Sequence, residues 1–89
     1  MMEAVIVEFL GTLVFLYVIL ATGHFAAIGA TLALMIYLGG PISGGNFNPA
    51  VTVMLVMAKK QKMDTLLPYI LAQVAGGIVA LQLFNVMKE

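Results

Sequence analysis

The residues able to act on another molecule are concentrated in one stretch, Ser43-Gly44-Gly45-Asn46-Phe47-Asn48-Pro49-Ala50-Val51-Thr52. Gly44 and Gly45 allow an extended backbone to turn its carbonyls into a file of acceptors, continued by Asn46. Asn48 is a good N-cap, and Pro49 suits the first position of the helix that follows. The positive end of that helix then points back at the loop, and the Asn48 amide adds a donor. A row of acceptors ending at a donor, set in an apolar wall, suits small neutral polar molecules, whereas a cation is repelled. Other chemistry is poorly supplied. The chain has no cysteine and one histidine, His24. Disulfide, thiolate and histidine-metal sites are therefore not expected. No nucleophile–base pair or phosphate-binding motif is present, so neither an enzyme nor a cofactor is expected.

The elements that must carry this stretch are apolar. Of 89 residues, 63% are hydrophobic and 9% charged, far from the quarter charged that soluble domains carry. Four basic against four acidic residues cancel, which argues against a nucleic-acid partner. Helix 4–21 is apolar except for Glu8 and, at ~1.5 Å per residue, reaches about 27 Å, the thickness of a hydrocarbon layer. No Lys or Arg precedes it, so it reads as a retained span and not as a signal peptide. Thr22-Gly23-His24 breaks the chain before helix 25–39, which Gly39-Gly40-Pro41 is expected to end. A loop, 40–48, then leads to a half-helix, 49–58, long enough for about 15 Å, half a bilayer. The polar stretch Lys59-Lys60-Gln61-Lys62-Met63-Asp64 belongs in water or headgroups. Thr65 is positioned to cap the last helix, 65–87, with Pro68 in its first turn. Lys88 and Glu89 mark its exit. The sum is an all-α membrane protein with three transmembrane helices and one re-entrant half-helix carrying Asn-Pro-Ala. The N-terminus and the Lys59–Lys62 loop fall on one side with three lysines against one, favouring the cytoplasm. So mild a bias leaves insertion in both orientations open.

The stretch at 43–52 resembles the signature of the major intrinsic proteins, the aquaporins and aquaglyceroporins. Glu8-Phe9-Leu10-Gly11-Thr12 in the first helix and Tyr69, Ala72, Gln73 and Gly76 in the last are similar as well. The resemblance covers the N-terminal half of the family's repeat pair, a half-aquaporin. It implies a passive channel in which two inverted halves meet at Asn48-Pro49-Ala50. It also implies that Glu8 and Gln73 buttress the loop. Two departures stand out. Asn46 lies where the family usually has His, and Val51 lies where the second half of the family carries its filter arginine.

Unpaired loop carbonyls and amides cannot face lipid. The simplest cover is a second copy inserted upside down, an antiparallel dimer, with a tetramer of such dimers as the family analogue. The family's filter positions then map to Ile28, Ile36, Gly45 and Val51 at each end of the pore. That ring lacks an aromatic and a charge, which admits glycerol-sized solutes beside water. The alternative is a fragment or interaction subunit that pairs with a separate second half or a full-length channel and does not conduct. The chain stops near the expected end of the third span, as a stand-alone design would.

Other features have plainer readings. Glu8 invites a functional role as an intramembrane carboxylate. His24 reads as a solvated loop residue rather than a pH sensor, and the lysines as a topology-setting loop rather than a lipid site. Tyr37 and Tyr69 fit either interfacial anchoring or helix packing. Gly29 and Ala33 on one helix, and Gly76, Gly77 and Ala80 on another, match small-residue packing faces. Gly40 and Gly44 have the same spacing but belong to the loop geometry. The seven methionines read as filler or lipid-facing residues.

Overall fold

A computed structural model describes residues 1–88; Glu89, expected in the polar exit, lies outside the described residues. The chain forms α1 (Met2–Thr22), α2 (Phe25–Ser43), α3 (Pro49–Met57) and α4 (Leu66–Met87), with a 3-10 turn at Met63–Thr65. No strand occurs among the described residues. The fold is all-α. Helices α1, α2 and the segment ending in α4 are long and apolar enough to cross a membrane. The long dimension, 44 Å, matches a bilayer including its headgroups, about 40–45 Å. Helix α3 has nine residues and so covers roughly 13 Å, less than half that depth.

Helix α1 is the centre, with α2 on one side and α4 on the other; α3 leans on α4. Small residues set the α1–α4 distance. A Cβ at Gly76 would stand 2.7 Å from the Phe9 carbonyl oxygen and 3.2 Å from the Leu13 nitrogen. One at Gly77 would stand 2.9 Å from Leu16 Cδ1, and Ala80 is fully buried. Close backbone approach of this kind is how helices associate where lipid removes the hydrophobic drive. The Gly29 and Ala33 stripe behaves differently. Nothing lies within 4 Å of a Cβ at Gly29, and both residues are exposed. That face packs against no described residue of this chain.

The link from α1 to α2 is tightly capped. Gly23 adopts a left-handed conformation (φ 59°), and its amide bonds the Ile19 carbonyl at 3.0 Å. His24 is exposed and N-caps α2, its Nδ1 accepting from the Ala26 amide at 3.2 Å.

Two further expectations need correction. Helix α2 does not stop at Gly39 but runs through Pro41 to Ser43. Proline removes one backbone donor, and the remaining turns close by other means. Gly44, left-handed at φ 89°, ends the helix, its amide bonding the Gly40 carbonyl at 2.8 Å. Gly39 serves packing instead, since a Cβ there would stand 2.8 Å from Val7 Cγ1 and 3.0 Å from the Phe47 ring. Thr65, the second case, makes no side-chain cap on α4. Its hydroxyl donates to the Lys62 carbonyl at 2.6 Å and accepts from Gln61 Nε2 at 2.9 Å. The 3-10 turn takes over the start of the helix.

Candidate functional site

The interior of this molecule is polar. Glu8, Thr12, Ser43, Asn46, Thr52 and Gln73 are buried, while most large aliphatic side chains face outward. That inversion suits a lipid exterior and places the chemistry at the junction of α1, the 44–48 loop, α3 and α4.

Glu8 is the hub, with no exposed surface. Oε2 accepts from Ser43 Oγ at 2.7 Å and from the Asn46 amide at 3.0 Å. Oε1 accepts from the Phe47 amide at 2.8 Å and from Gln73 Nε2 at 2.9 Å. The Gly45 amide turns to Ser43 Oγ at 3.1 Å. Three consecutive amides, at 45, 46 and 47, therefore point into the protein. A strand would alternate them. Here positive φ at Gly44 (89°), Gly45 (64°) and Phe47 (54°) keeps them on one side. The peptides are all trans, so the carbonyls of Gly44, Gly45 and Asn46 in those same planes point the opposite way. None of the three accepts a hydrogen bond among the described residues. Gly45 also lies against α2; a Cβ there would stand 3.3 Å from Ile36 Cα and 3.5 Å from Gly40 Cα.

Asn48 adopts an extended conformation and caps α3, its Oδ1 accepting from the Ala50 amide at 2.7 Å. Its side chain is exposed, and its Nδ2 has no partner among the described residues. An acceptor row thus ends at a free amide donor and the positive end of α3. Pro49 occupies the first helical position and Ala50 follows, exposed. Beside them opens a groove of about 390 Å³ between α1 and α4, lined by Thr12, Phe15, Asn48, Pro49, Gln73 and Gly77 among others.

The Asn46 side chain turns inward, away from the file its carbonyl joins. Nδ2 donates to Thr52 Oγ1 and to Gln61 Oε1, both at 2.9 Å. Gln73 Nε2 likewise donates twice, to Glu8 and to Thr52 Oγ1 at 2.8 Å. The carbonyl oxygens of both amides, and Thr12 Oγ1, are buried without a partner. Of the expected filter residues, Ile36 is brought against Gly45, with its own side chain exposed. Ile28 lies on α2 eight residues earlier, about 12 Å along the axis. Val51 is half-buried in the first turn of α3.

Residues given no part in the site on sequence grounds complete it. Phe47 is 2% exposed, and its ring fills the space that side chains at Gly11 and Gly39 would occupy. Tyr69 is buried and donates to the Ser43 carbonyl at 2.8 Å, whereas Tyr37 is exposed. Thr52 and Gln61 join the network, and only their polarity in apolar or charged surroundings could have drawn notice.

Comparison with known proteins agrees with this geometry. The family model described as Major intrinsic protein matches residues 1–89. A probable aquaporin PIP2-6 of Oryza sativa subsp. japonica is 36% identical over 98% of this chain and 38% of its own length. Aquaporin Z of Photorhabdus laumondii is 44% identical over 71% of this chain and 27% of its own. A glycerol uptake facilitator protein-like 6 of Lactiplantibacillus plantarum is 39% identical over 89% and 41%. The chain spans well under half the length of these curated relatives. No solved structure matches it. With a match along its whole length and the loop, cap and buried carboxyl arranged around one polar junction, the chain belongs to the major intrinsic protein family.

Proposed function

We propose that the protein is a passive channel for water and small neutral solutes such as glycerol, with its pore formed between two inverted copies. The observation that carries this reading is the row of unpaired carbonyls at Gly44, Gly45 and Asn46, ending at the free Asn48 amide. Such a row replaces the hydration of a neutral solute one hydrogen bond at a time, while the positive end of α3 opposes a cation. Relatives named as aquaporins and as a glycerol uptake facilitator support the same solute class. No reaction is catalysed.

The lipid environment argues for the partner. Free carbonyls, the Asn48 amide and the groove beside it cost several kcal/mol per unsatisfied group if lipid covers them. An inverted copy presents the same surface back and encloses a polar path. Ile28, Ile36, Gly45 and Val51 would form the constriction at each end, wide and apolar without an aromatic or a charge. Glu8 and Gln73 act as the buttress that holds the loop. The N-terminus and lysine loop lie in the cytoplasm for one orientation of the pair.

A second reading follows from the chain spanning 27–41% of the length of those relatives. It pairs with a separate second half, or docks on a full-length channel, and does not conduct alone. Osmotic shrinkage of liposomes holding only this chain separates the two. Water efflux well above empty vesicles in sucrose, with re-swelling in glycerol, is the expected result. Flux equal to empty vesicles, from protein shown to be folded and inserted, sinks the self-sufficient pore and leaves the second reading.

A further inference from the structure

We propose that Gln61, outside the pore-lining residues, is a positioning residue that fixes the acceptor loop by holding the Asn46 side chain; as a role in conduction it rests on the channel reading above. Gln61 stands in the polar turn after α3, fifteen residues along the chain from Asn46. Its Oε1 takes one Nδ2 hydrogen of Asn46 at 2.9 Å, and Thr52 Oγ1 takes the other at 2.9 Å.

The direction of this chain of hydrogen bonds is forced. The Thr65 hydroxyl gives its one proton to the Lys62 carbonyl at 2.6 Å. Toward Gln61 it can therefore only accept, so the NH₂ of Gln61 must face it, at 2.9 Å. That leaves Oε1 toward Asn46, which must answer with its own NH₂. Asn46 cannot flip without setting two oxygens against each other. Its backbone amide is held independently by Glu8 Oε2 at 3.0 Å. Three donors of one residue are thus fixed from three directions, and its carbonyl is left on the open face. Its buried Oδ1 has no partner among the described residues, so Gln61 and Thr52 supply the hydrogen bonds that restrain the side chain. The turn that bears Lys59, Lys60 and Lys62 is tied in this way to the residue lining the file.

Remove Oε1 and one buried N–H of Asn46 loses its acceptor. The side chain then keeps only Thr52 Oγ1 as a hydrogen-bond partner, and the loop loses one of its three ties at this residue. Water flux in the Q61L variant, which keeps bulk but no acceptor, is expected to fall at least about fivefold, the factor that one unmet buried donor corresponds to. Q61E, which keeps an acceptor for Asn46, is expected to restore most of it.

The test pairs liposome water flux for wild type, Q61L and Q61E with side-chain ¹⁵N spectra of Asn46 in the same proteins. The expected result is a shifted Asn46 resonance and reduced flux in Q61L, with both recovered in Q61E. An unmoved Asn46 resonance in Q61L overturns the pairing. Equal losses in Q61L and Q61E overturn positioning in favour of simple packing, and unchanged flux in Q61L overturns its bearing on conduction. Should wild type not exceed empty vesicles, the channel reading fails on its own, and the resonance together with exchange protection of the Asn46 and Phe47 amides decides the positioning role.

Discussion

At the scale of single residues, the loop depends on one carboxyl group. Glu8 supplies two oxygens to four donors from three separate parts of the chain: Ser43, two loop amides and Gln73. In E8Q one oxygen becomes a donor. Either the Ser43 and Asn46 pair or the Phe47 and Gln73 pair then loses its acceptor. Ser43 can turn its hydroxyl to the Gly39 carbonyl at 3.3 Å, so one or two buried donors are left unmet, at roughly 1–6 kcal/mol, a large share of any domain's stability. Thermal unfolding of the purified variant in detergent should show a marked loss, and a midpoint equal to wild type would remove Glu8 from the centre of the fold. Residue-level legibility was uneven. A carboxylate in an apolar helix announces itself, as does Gln73, the eighth residue of α4. Phe47 does not, because an aromatic in an apolar chain carries no signal. Its left-handed backbone (φ 54°) and buried ring are defined by Gly11 and Gly39 on two other helices. Gln61 sits among lysines and reads as solvated until its partner is known.

At the scale of elements, glycines that look alike in sequence do opposite work. Gly11, Gly39 and Gly76 lie where a side chain has no room, while Gly29 faces open space. G11A forces the Phe47 ring away from α1 and is expected to destabilise by about 1–3 kcal/mol, as overpacking does. G29A meets nothing and should gain up to about 1 kcal/mol from helix propensity. Unfolding of the two variants side by side tests the contrast. A stable G11A would mean that Phe47 has an alternative seat; a strongly destabilised G29A would mean that another chain covers that stripe. This also explains why the end of α2 was misplaced. Gly39-Gly40-Pro41 carries every local mark of a helix terminus. Two of its members answer to packing and to the Gly44 cap, and tertiary contacts carry the helix four residues further, to Ser43. The spans themselves were readable because length and hydropathy suffice for them.

At the scale of the whole molecule, the polar junction is finished on one side only. The amides of residues 45–47 are paired inside the protein, while the carbonyls of residues 44–46 and the Asn48 side-chain amide have no partner among the described residues, and a groove lies open between α1 and α4. A bilayer does not tolerate that face, and this is the physical ground for the proposed pairing with a second half. An inverted copy requires that this chain insert both ways. Its charge permits it: lysines at 59, 60 and 62 face one at 88, and Asp64 stands in the same loop. Orientation is set by such lysine bias over short loops, and three against one is weak. The absence of cysteine makes the consequence measurable, since K60C carries the sole thiol. If the pair is antiparallel, an impermeant maleimide reaches K60C from outside intact cells in roughly half the copies, and lysis exposes the remainder. Labelling confined to one side would exclude the inverted copy. The bare face would then belong to a second half of different sequence, one bringing its own half-helix from the opposite leaflet.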